Sequence, residues 1–241
     1  MNILALDTSS EWCSAALWLD GRVLVRDDNA GQRHSELILD MIDALLQEAG
    51  LRLRGLQGIA FGAGPGSFTG LRIACGVAQG LAFAADLPVA PIGTLECLAQ
   101  ASAADRVVSA LDARMGEIYH AAYERIPAGW RTLHEPSLCR PEEAPEVGGT
   151  GWVGCGSAFA AHGDTLRQRY GSALSAVRPE LYPHARDAAA IAALVLARGE
   201  GIDPTQAAPL YLRDKVALSV AERAQRKQVA AVDASTGPSV Q

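Results

Sequence analysis

Residues 58–85 read GIAFGAGPGSFTGLRIACGVAQGLAFAA, and this stretch decides the fold. Its apolar beginning predicts a strand over 58–62, and its apolar end predicts a helix over 70–85. The loop between them contains four glycines: Gly62, Gly64, Gly66 and Gly70. A strand, a short loop and a helix form the repeating unit of an α/β sheet, so the fold is expected to be α/β.

The glycine-rich loop has two interpretations. Backbone amides at a helix N-terminus attract anions, which favours phosphate binding. The loop nevertheless matches neither common phosphate motif, because no lysine precedes Lys215 and Ser67 stands where G-x-G-x-x-G needs its third glycine. In the other interpretation the glycines let strand and helix pack closely, and Ser67 or Thr69 caps the helix. The residues leave both interpretations open.

The chain alternates strands and helices on both sides of this unit. Before it, three strands and a helix are predicted over 3–8, 12–19, 23–26 and 34–49. After it come a strand over 88–92 and a helix that begins at Thr94. The second half continues with strands over 106–112, 117–123, 130–138 and 152–155 and helices over 159–170 and 187–198. This order predicts mixed sheets flanked by helices.

A short repeat suggests two related lobes. The tripeptide Ala5-Leu6-Asp7 ends the first strand of the first half, and Ala110-Leu111-Asp112 ends the first strand of the second. Each is followed by a turn and a returning strand, as expected for duplicated units. We therefore predict lobes at 1–104 and 105–228, the second being reduced, and a disordered tail at 229–241.

Charge and cysteine content exclude several function classes. The 241 residues have a net charge of −6, which argues against a protein that grips nucleic acid alone or docks on anionic lipid. The five cysteines form no C-x-x-C pair, which indicates a reducing, cytoplasmic setting. The longest apolar run, 188–197, is ten residues, too short for a membrane span. The chain opens on a strand-like run rather than a secretory signal.

Asp7 and Asp112 are the first candidates for chemistry. Carboxylates at two strand ends that face each other across a cleft are how actin-like ATPases and sugar kinases hold a metal–nucleotide. The alternative is that each aspartate accepts hydrogen bonds from its own turn. The five histidines are scattered without an i, i+4 pair, and no G-x-S-x-G elbow is present in a strand–turn–helix setting, so metal and triad sites are poorly supported.

Two helices carry more apolar surface than one sheet needs to cover. On helix 34–49 the charged stripe is narrow, and the apolar residues extend around most of the circumference. We expect Ile38, Ile42 and Leu46 to face this chain's core. The other half includes Glu48, whose charge would be costly in a dry core, and is assigned to a partner: Leu37, Met41, Ala44 and Leu45.

On helix 70–85 the predicted core face is Ile73, Val77 and Leu81. The predicted outer face, with Gly76 at the closest approach of a partner helix, is Arg72, Cys75, Gly76, Gln79 and Phe83. Surplus apolar surface on neighbouring helices favours a protein–protein interface. The alternative is that another part of this chain covers it.

Five segments together resemble one family. The nine residues 64–72, Gly-Pro-Gly-Ser-Phe-Thr-Gly-Leu-Arg, are the most specific of them. The others are 3–9, 33–36, 111–119 and 209–213. In these segments the chain resembles the TsaB (YeaZ) family, bacterial subunits of tRNA threonylcarbamoyladenosine (t6A) biosynthesis. The resemblance spans about residues 1–215 and implies two lobes of the actin/Hsp70/sugar-kinase (ASKHA, ribonuclease H-like) fold.

The resemblance also implies a role and partners. The family pairs with TsaD, the related subunit that transfers the threonylcarbamoyl group to adenosine 37, and a small ATPase, TsaE, joins them. TsaD proteins carry a His-x-x-x-His metal motif where this chain reads Gly-Thr-Leu-Glu-Cys-Leu over 93–98. Without those imidazoles the chain is expected to be a non-catalytic partner with no cofactor or metal of its own. It is expected to form a homodimer when alone, and to meet tRNA only within the complex.

Two groups of site residues follow. Helices 34–49 and 70–85 are expected to meet the equivalent helices of TsaD. A vestigial nucleotide or anion site is expected at Asp7, Thr8, Ser9, Gly64, Gly66, Ser67 and Asp112. The alternative function is an autonomous enzyme, either a nucleotide-dependent kinase of the same superfold or a glycoprotease-like hydrolase.

Overall fold

Two five-stranded sheets make up the computed structural model, which describes residues 1–213. The first sheet has the order β3-β2-β1-β4-β5, with β1 antiparallel to β2 and parallel to β4. Its strands are β1 (Asn2–Asp7), β2 (Trp12–Leu19), β3 (Arg22–Asn29), β4 (Gly58–Gly64) and β5 (Val89–Gly93). The prediction of a mixed sheet built around the glycine-rich unit is confirmed.

The second sheet repeats this plan. Its order is β10-β9-β6-β7-β8, with β6 antiparallel to β7 and parallel to β9. Its strands are β6 (Arg106–Asp112), β7 (Ile118–Ile126), β8 (Gly129–Cys139), β9 (Trp152–Cys155) and β10 (Leu174–Arg178). Asp7 ends β1 and Asp112 ends β6, the central strands of the two sheets, so the repeated tripeptide marks equivalent positions. Two lobes of one α/β plan are therefore present.

Within the described residues six helices flank the sheets, and some of them differ from the predicted elements. They are α1 (His34–Ala49), α2 (Phe68–Ala85), α3 (Thr94–Ser102), α4 (Ala158–Ala161), α5 (Gly163–Tyr170) and α6 (Ala185–Ala197). The helix expected over 159–170 is broken at His162, whose backbone leaves the helical region with φ −131°. α2 begins two residues early because Ser67 caps it by accepting a hydrogen bond from Gly70 N. Strand β10 was not predicted.

The two faces of the first sheet are covered by different parts of the chain. α1 and α2 pack on one face, where Leu4, Leu6 and Phe61 belong to their core cluster. α6 covers the other face through Ala188, Ala189 and Ala192. Ile202 then bridges to Val89 beside β5. The stretch predicted as the second lobe thus supplies a layer of the first, while 214–228 and the predicted tail 229–241 lie outside the described residues.

The helix α2 is long and rich in apolar residues. By length and apolarity alone it would be sufficient to cross a membrane. In the fold it packs on β4 and β1, with Leu71, Ala74, Ala78 and Ala82 buried against the sheet. Its apolar character is therefore explained in part by the core of the first lobe.

Candidate functional site: the interlobe cleft and the α1–α2 face

Asp7 is sealed inside the first lobe. Its Oδ1 accepts hydrogen bonds from Ser9 N (2.9 Å) and Ser9 Oγ (2.7 Å), so the turn after β1 caps the carboxylate. Its Oδ2 has no partner among the described residues and lies against Gly62, where a Cβ would collide with it. Burial raises the pKa of Asp7 to about 7. Asp7 therefore accepts hydrogen bonds from its own turn, which is the structural alternative that the sequence analysis left open.

The glycine-rich loop packs against the same turn. A Cβ at Gly66 would lie 2.6 Å from Ser9 O, and one at Gly70 would collide with Thr8 O. Thr8 Oγ1 donates to Gly70 O at 2.7 Å, and Ser67 N donates to Ser9 O at 2.8 Å. Glycine is needed at these positions because backbone meets backbone. Close packing is therefore an observed role of the loop.

An open cleft of about 1090 Å³ separates the two lobes. The N-terminal turn of α2 lines one wall, and the ends of β6 and α4 line the other. The cleft brings together four of the predicted vestigial-site residues: Ser9, Gly66, Ser67 and Asp112. Asp7, Thr8 and Gly64 are not part of its lining, because they lie beneath the turn and the loop. Asp7 therefore does not face Asp112 across the open cleft, as the nucleotide-binding alternative required, and its inclusion in an open vestigial site was wrong.

The carboxylate of Asp112 is already occupied by neighbours on its own lobe. Its Oδ1 accepts from Arg114 N at 2.9 Å and lies 3.7 Å from His162 Nε2. Its Oδ2 lies 3.3 Å from Arg114 Nη1. Within residues 1–213 no three His, Cys, Asp or Glu side chains come together in a way that could hold a metal ion. The cleft thus offers a helix N-terminus and side chains of both charge signs, among them Glu11, Asp112 and Arg114.

The second candidate site is the outer surface of α1. Ile38 and Ile42 are buried, as predicted, but Leu45 is fully buried as well, and Leu46 is only half-buried. Assigning Leu45 to a partner was therefore wrong, because it points at β2 together with Ile38 and Ile42. Leu37, Met41 and Ala44 are half-buried, and Leu39 is 54% exposed. The sequence-based prediction of the interface did not include Leu39. Its exposure could have been expected, because the residue next to a core residue such as Ile38 points in a different direction on a helix.

Glu48 explains the misassignment. It pairs with Arg26 on β3, at the edge of the first sheet. Its charge is therefore satisfied at the rim of the lobe and does not require its whole half of the helix to leave the core. Helical spacing places Leu37, Met41 and Ala44 on the same side as Glu48, and Leu39 and Leu46 on the opposite side.

α2 presents small residues to the sheet and larger ones to its flanks. Its buried side includes Cys75, so the assignment of Cys75 to the outer face was wrong. Ile73, Val77 and Leu81, predicted as core, are half-buried. The reason is that alanines and Cys75 let α2 lie close to β4, which turns the larger side chains outward. Gly76 and Gly80 are exposed, and a Cβ at either would meet nothing within 4 Å; Phe83 is 75% exposed.

Part of the predicted outer face is covered by this chain itself. Gln79 Nε2 donates to Pro204 O and Ala207 O, both at 3.0 Å, and Cys75 Sγ lies 3.5 Å from Ala207 O. Arg72 Nε donates to Tyr211 OH at 2.9 Å. The residues of the two helices that stay exposed or half-buried are named the α1–α2 face. On α1 they lie on both flanks of the helix, Leu37, Met41 and Ala44 on one and Leu39 on the other, and on α2 they are Ile73, Gly76, Val77, Gly80 and Phe83.

The cysteines are structural in character. All five are free, and only Cys139 is not fully buried. Burial raises the pKa of Cys13 and Cys139 to about 11 and that of Cys155 to about 12. Such thiols stay protonated at neutral pH and act as small apolar residues, as the sequence indicated.

Comparison with known proteins gives a consistent result. A family model described as TsaD, tRNA N6-adenosine threonylcarbamoyltransferase, matches residues 26–218. The chain is 39% identical over 226 residues to the tRNA threonylcarbamoyladenosine biosynthesis protein TsaB of Escherichia coli K12, covering 90% of this chain and 96% of that protein. It is 36% identical over 230 residues to TsaB of Haemophilus influenzae, covering 90% and 95%.

A solved structure agrees with these relatives. The structure of YeaZ from Pseudomonas aeruginosa superposes with a TM-score of 0.80 at 40% sequence identity. The match covers 88% of this chain and 99% of that one. The similarity therefore includes both lobes and extends over nearly the whole of each compared protein.

Proposed function

Because this chain belongs to the TsaB (YeaZ) family, we propose that it acts in tRNA t6A biosynthesis as the non-catalytic partner of a TsaD-like transferase. The observation that carries the proposal is the partly exposed α1–α2 face. Two adjacent helices expose Leu39, Phe83 and a pair of bare glycines on the same side of the first sheet. Exposed apolar side chains on neighbouring helices are typical of a protein interface.

The interior of the first lobe supports an accessory role. In this chain the carboxylate at the end of β1 is buried and bonded by Ser9, and the glycine loop is filled by its own turn. The strand–helix corner at 93–98 offers Glu96 and Cys97 but no imidazole. These residues do not make a site for orienting a carbamoyl-adenylate, so the transfer chemistry is assigned to the partner.

The proposed interface is the α1–α2 face, revised by what the fold buries. Leu45 and Cys75 are excluded because they belong to the core, and Gln79 because its amide bonds this chain. Arg72 stays at the rim. The helices of a TsaD-like subunit would lie across Gly76 and Gly80, where backbones approach most closely. The same face would support a homodimer when no partner is present, and a TsaE-like ATPase and tRNA would join only the assembled complex, in the cytoplasm.

The test is reconstitution of adenosine-37 modification with purified TsaD-like and TsaE-like subunits, with and without this chain. We expect modification only when the chain is added. Gly76→Leu is expected to abolish both pairing and modification, because it places a side chain at the closest approach. Gly148→Leu is the matched control, because a Cβ at Gly148 also meets nothing within 4 Å and the residue belongs to the second lobe, in the loop before β9. Equal loss in both variants would contradict the proposed face.

A second candidate, an autonomous nucleotide-dependent enzyme, rests on the open cleft beside the N-terminus of α2. It predicts tight ATP binding by the chain alone. Ser67→Ala would remove the cap of α2 and weaken that binding, whereas the accessory role predicts no effect on complex assembly. Calorimetry with Mg-ATP on the chain alone separates the two candidates.

A further inference from the structure

The last described segment of the chain crosses from one lobe to the other. After α6 and a short turn at Pro204–Gln206, residues 207–213 run along α2, where Ala207 lies beside Cys75 and Tyr211 beside Arg72, and reach the cleft at Arg213. We name residues 207–213 the strap. It begins at Ala207, which is buried in the core of the first lobe, and ends at Arg213, which lines the cleft.

The strap is anchored first to the end of β4. Leu210 N donates a hydrogen bond of 2.7 Å to Ala63 O, next to the glycine-rich loop. The neighbouring Gly64 has φ +123°, and a Cβ there would lie 2.6 Å from Leu210 O. Gly64 is therefore needed for two reasons, its positive φ and the approach of the strap. This explains a glycine that does not line the cleft.

The second anchor is on α2. Tyr211 OH accepts the 2.9 Å hydrogen bond from Arg72 Nε, and its ring lies 5.4 Å from that of Phe68. The Arg72 guanidinium in turn lies 3.8 Å from the centroid of Phe68. Arg72, Phe68 and Tyr211 thus form one cluster at the start of α2. This cluster borders the α1–α2 face, because Arg72 lies one helical turn before Gly76.

The third anchor is on the second lobe. Arg213 Nη2 donates to Ala113 O at 2.9 Å and lies 2.8 Å from Glu117 Oε2. Ala113 and Glu117 are the two ends of the turn between β6 and β7, so one guanidinium holds both. Inside that turn Arg114 and Met115 adopt left-handed backbone conformations, with φ of 63° and 60°. Residues with side chains are strained there and need surrounding contacts to stay so.

We propose that the strap is an interlobe latch, which holds the two lobes together at the cleft. The contact that closes it is the ion pair between Arg213 of the strap and Glu117 of the second lobe. The Arg213 side chain is 16% exposed and the Glu117 side chain 33%, so the ion pair is partly shielded from water and its loss would leave the Arg213 guanidinium poorly solvated. Opening the cleft then requires the release of Arg213. Once Arg213 is free, the hydrogen bonds of Leu210 with Ala63 and of Tyr211 with Arg72 are expected to open more often. The latch is a property of the chain alone and does not depend on the identity of its partner.

Hydrogen exchange of the full chain, read by mass spectrometry, tests the latch. In Arg213→Ala we expect exchange to become at least roughly tenfold faster at two places together, the Leu210 amide and the turn 113–117. The two places lie on different lobes, so a strap that only covers its own lobe would leave one of them unchanged. Arg114→Ala is the matched control, because it removes an exposed arginine from the same turn without touching the strap.

A charge exchange completes the test. Glu117→Arg combined with Arg213→Glu is expected to bring exchange at Leu210 back to within about threefold of the wild type, whereas either single change accelerates it. Circular dichroism establishes that each variant is folded. Unchanged exchange at Leu210 in Arg213→Ala, or no rescue in the double variant, would overturn the latch.

Discussion

Replacing Asp7 by asparagine is expected to change how stability depends on pH. The pKa of this carboxyl is raised from 3.8 to about 7 in the folded chain by its burial. Between those two values the folded protein holds a proton that the unfolded chain has lost. The free energy of unfolding therefore falls as pH rises from about 4 to about 7 and is constant above.

The magnitude follows from the size of the shift. A difference of about three pKa units at about 1.4 kcal/mol each gives about 4 kcal/mol. The asparagine side chain would keep an acceptor for Ser9 N and Ser9 Oγ but could not ionise. Relative to the wild type, Asp7→Asn should therefore gain about 4 kcal/mol between pH 4 and pH 8. At pH 4, where Asp7 is protonated in the folded chain, the variant is expected to be less stable than the wild type, because the buried amide N–H groups would find no acceptor beside Gly62.

Urea denaturation at a series of pH values, followed by tryptophan fluorescence, measures this difference. His120 contributes with the opposite sign. Burial lowers its pKa from 6.5 to about 4, so the free energy of unfolding decreases as pH falls from about 6.5 to about 4. That contribution is common to both proteins and cancels in their difference. Asp187→Asn should show a smaller gain that ends near pH 6, since the pKa of Asp187 is raised to about 6. A difference for Asp7→Asn that stays constant with pH would refute the reasoning.

Three further predictions concern packing and reactivity. Gly70→Ala should destabilise the chain by about 3 kcal/mol or more, because its Cβ collides with Thr8 O. Gly80→Ala on the same helix should stabilise it by up to about 1 kcal/mol, because a Cβ there meets nothing and alanine favours the helix; thermal unfolding of both variants measures the difference. Met41→Asp should separate subunits while circular dichroism stays native, and Ile42→Asp should unfold the chain; the reverse pattern would show that α1 presents its other side. At pH 8 the native thiols should react with a disulfide reagent far more slowly than in urea, and rapid reaction of Cys13 or Cys155 would contradict their burial.

The sheets could be predicted from the sequence because their signals are local. Apolar runs followed by turn residues placed β1, β2, β4 and β6, and the repeated Ala-Leu-Asp marked equivalent strands in the two lobes. The break at His162 could not be foreseen, since the apolar spacing of 158–170 continues through it. β10 carries exposed and half-buried residues at the edge of its sheet and so has no strong pattern.

The site residues were harder to predict because they depend on what the chain does far away. Cys75 and Gln79 look like surface positions until Ala207, more than a hundred residues later, returns to cover them. Leu45 was misassigned because the charge of Glu48 was weighed without Arg26, which reaches it from another strand. Asp7 and Asp112 end equivalent strands, but only the first is sealed, because only the first is followed by a turn that the glycine loop packs against.

The return of the chain to its first sheet also constrains the order in which the protein can fold during synthesis. The first sheet is complete in its strands by Gly93, yet one of its faces is covered only in part, by Cys97 of α3, until α6, residues 185–197, has been made. The second sheet, by contrast, is formed entirely by the continuous stretch 106–178. On the ribosome, where the N-terminal part emerges first, the middle of this chain can finish its own sheet before the beginning can. A nascent chain stalled before residue 185 would therefore expose the apolar underside of β1 and β4 to chaperones.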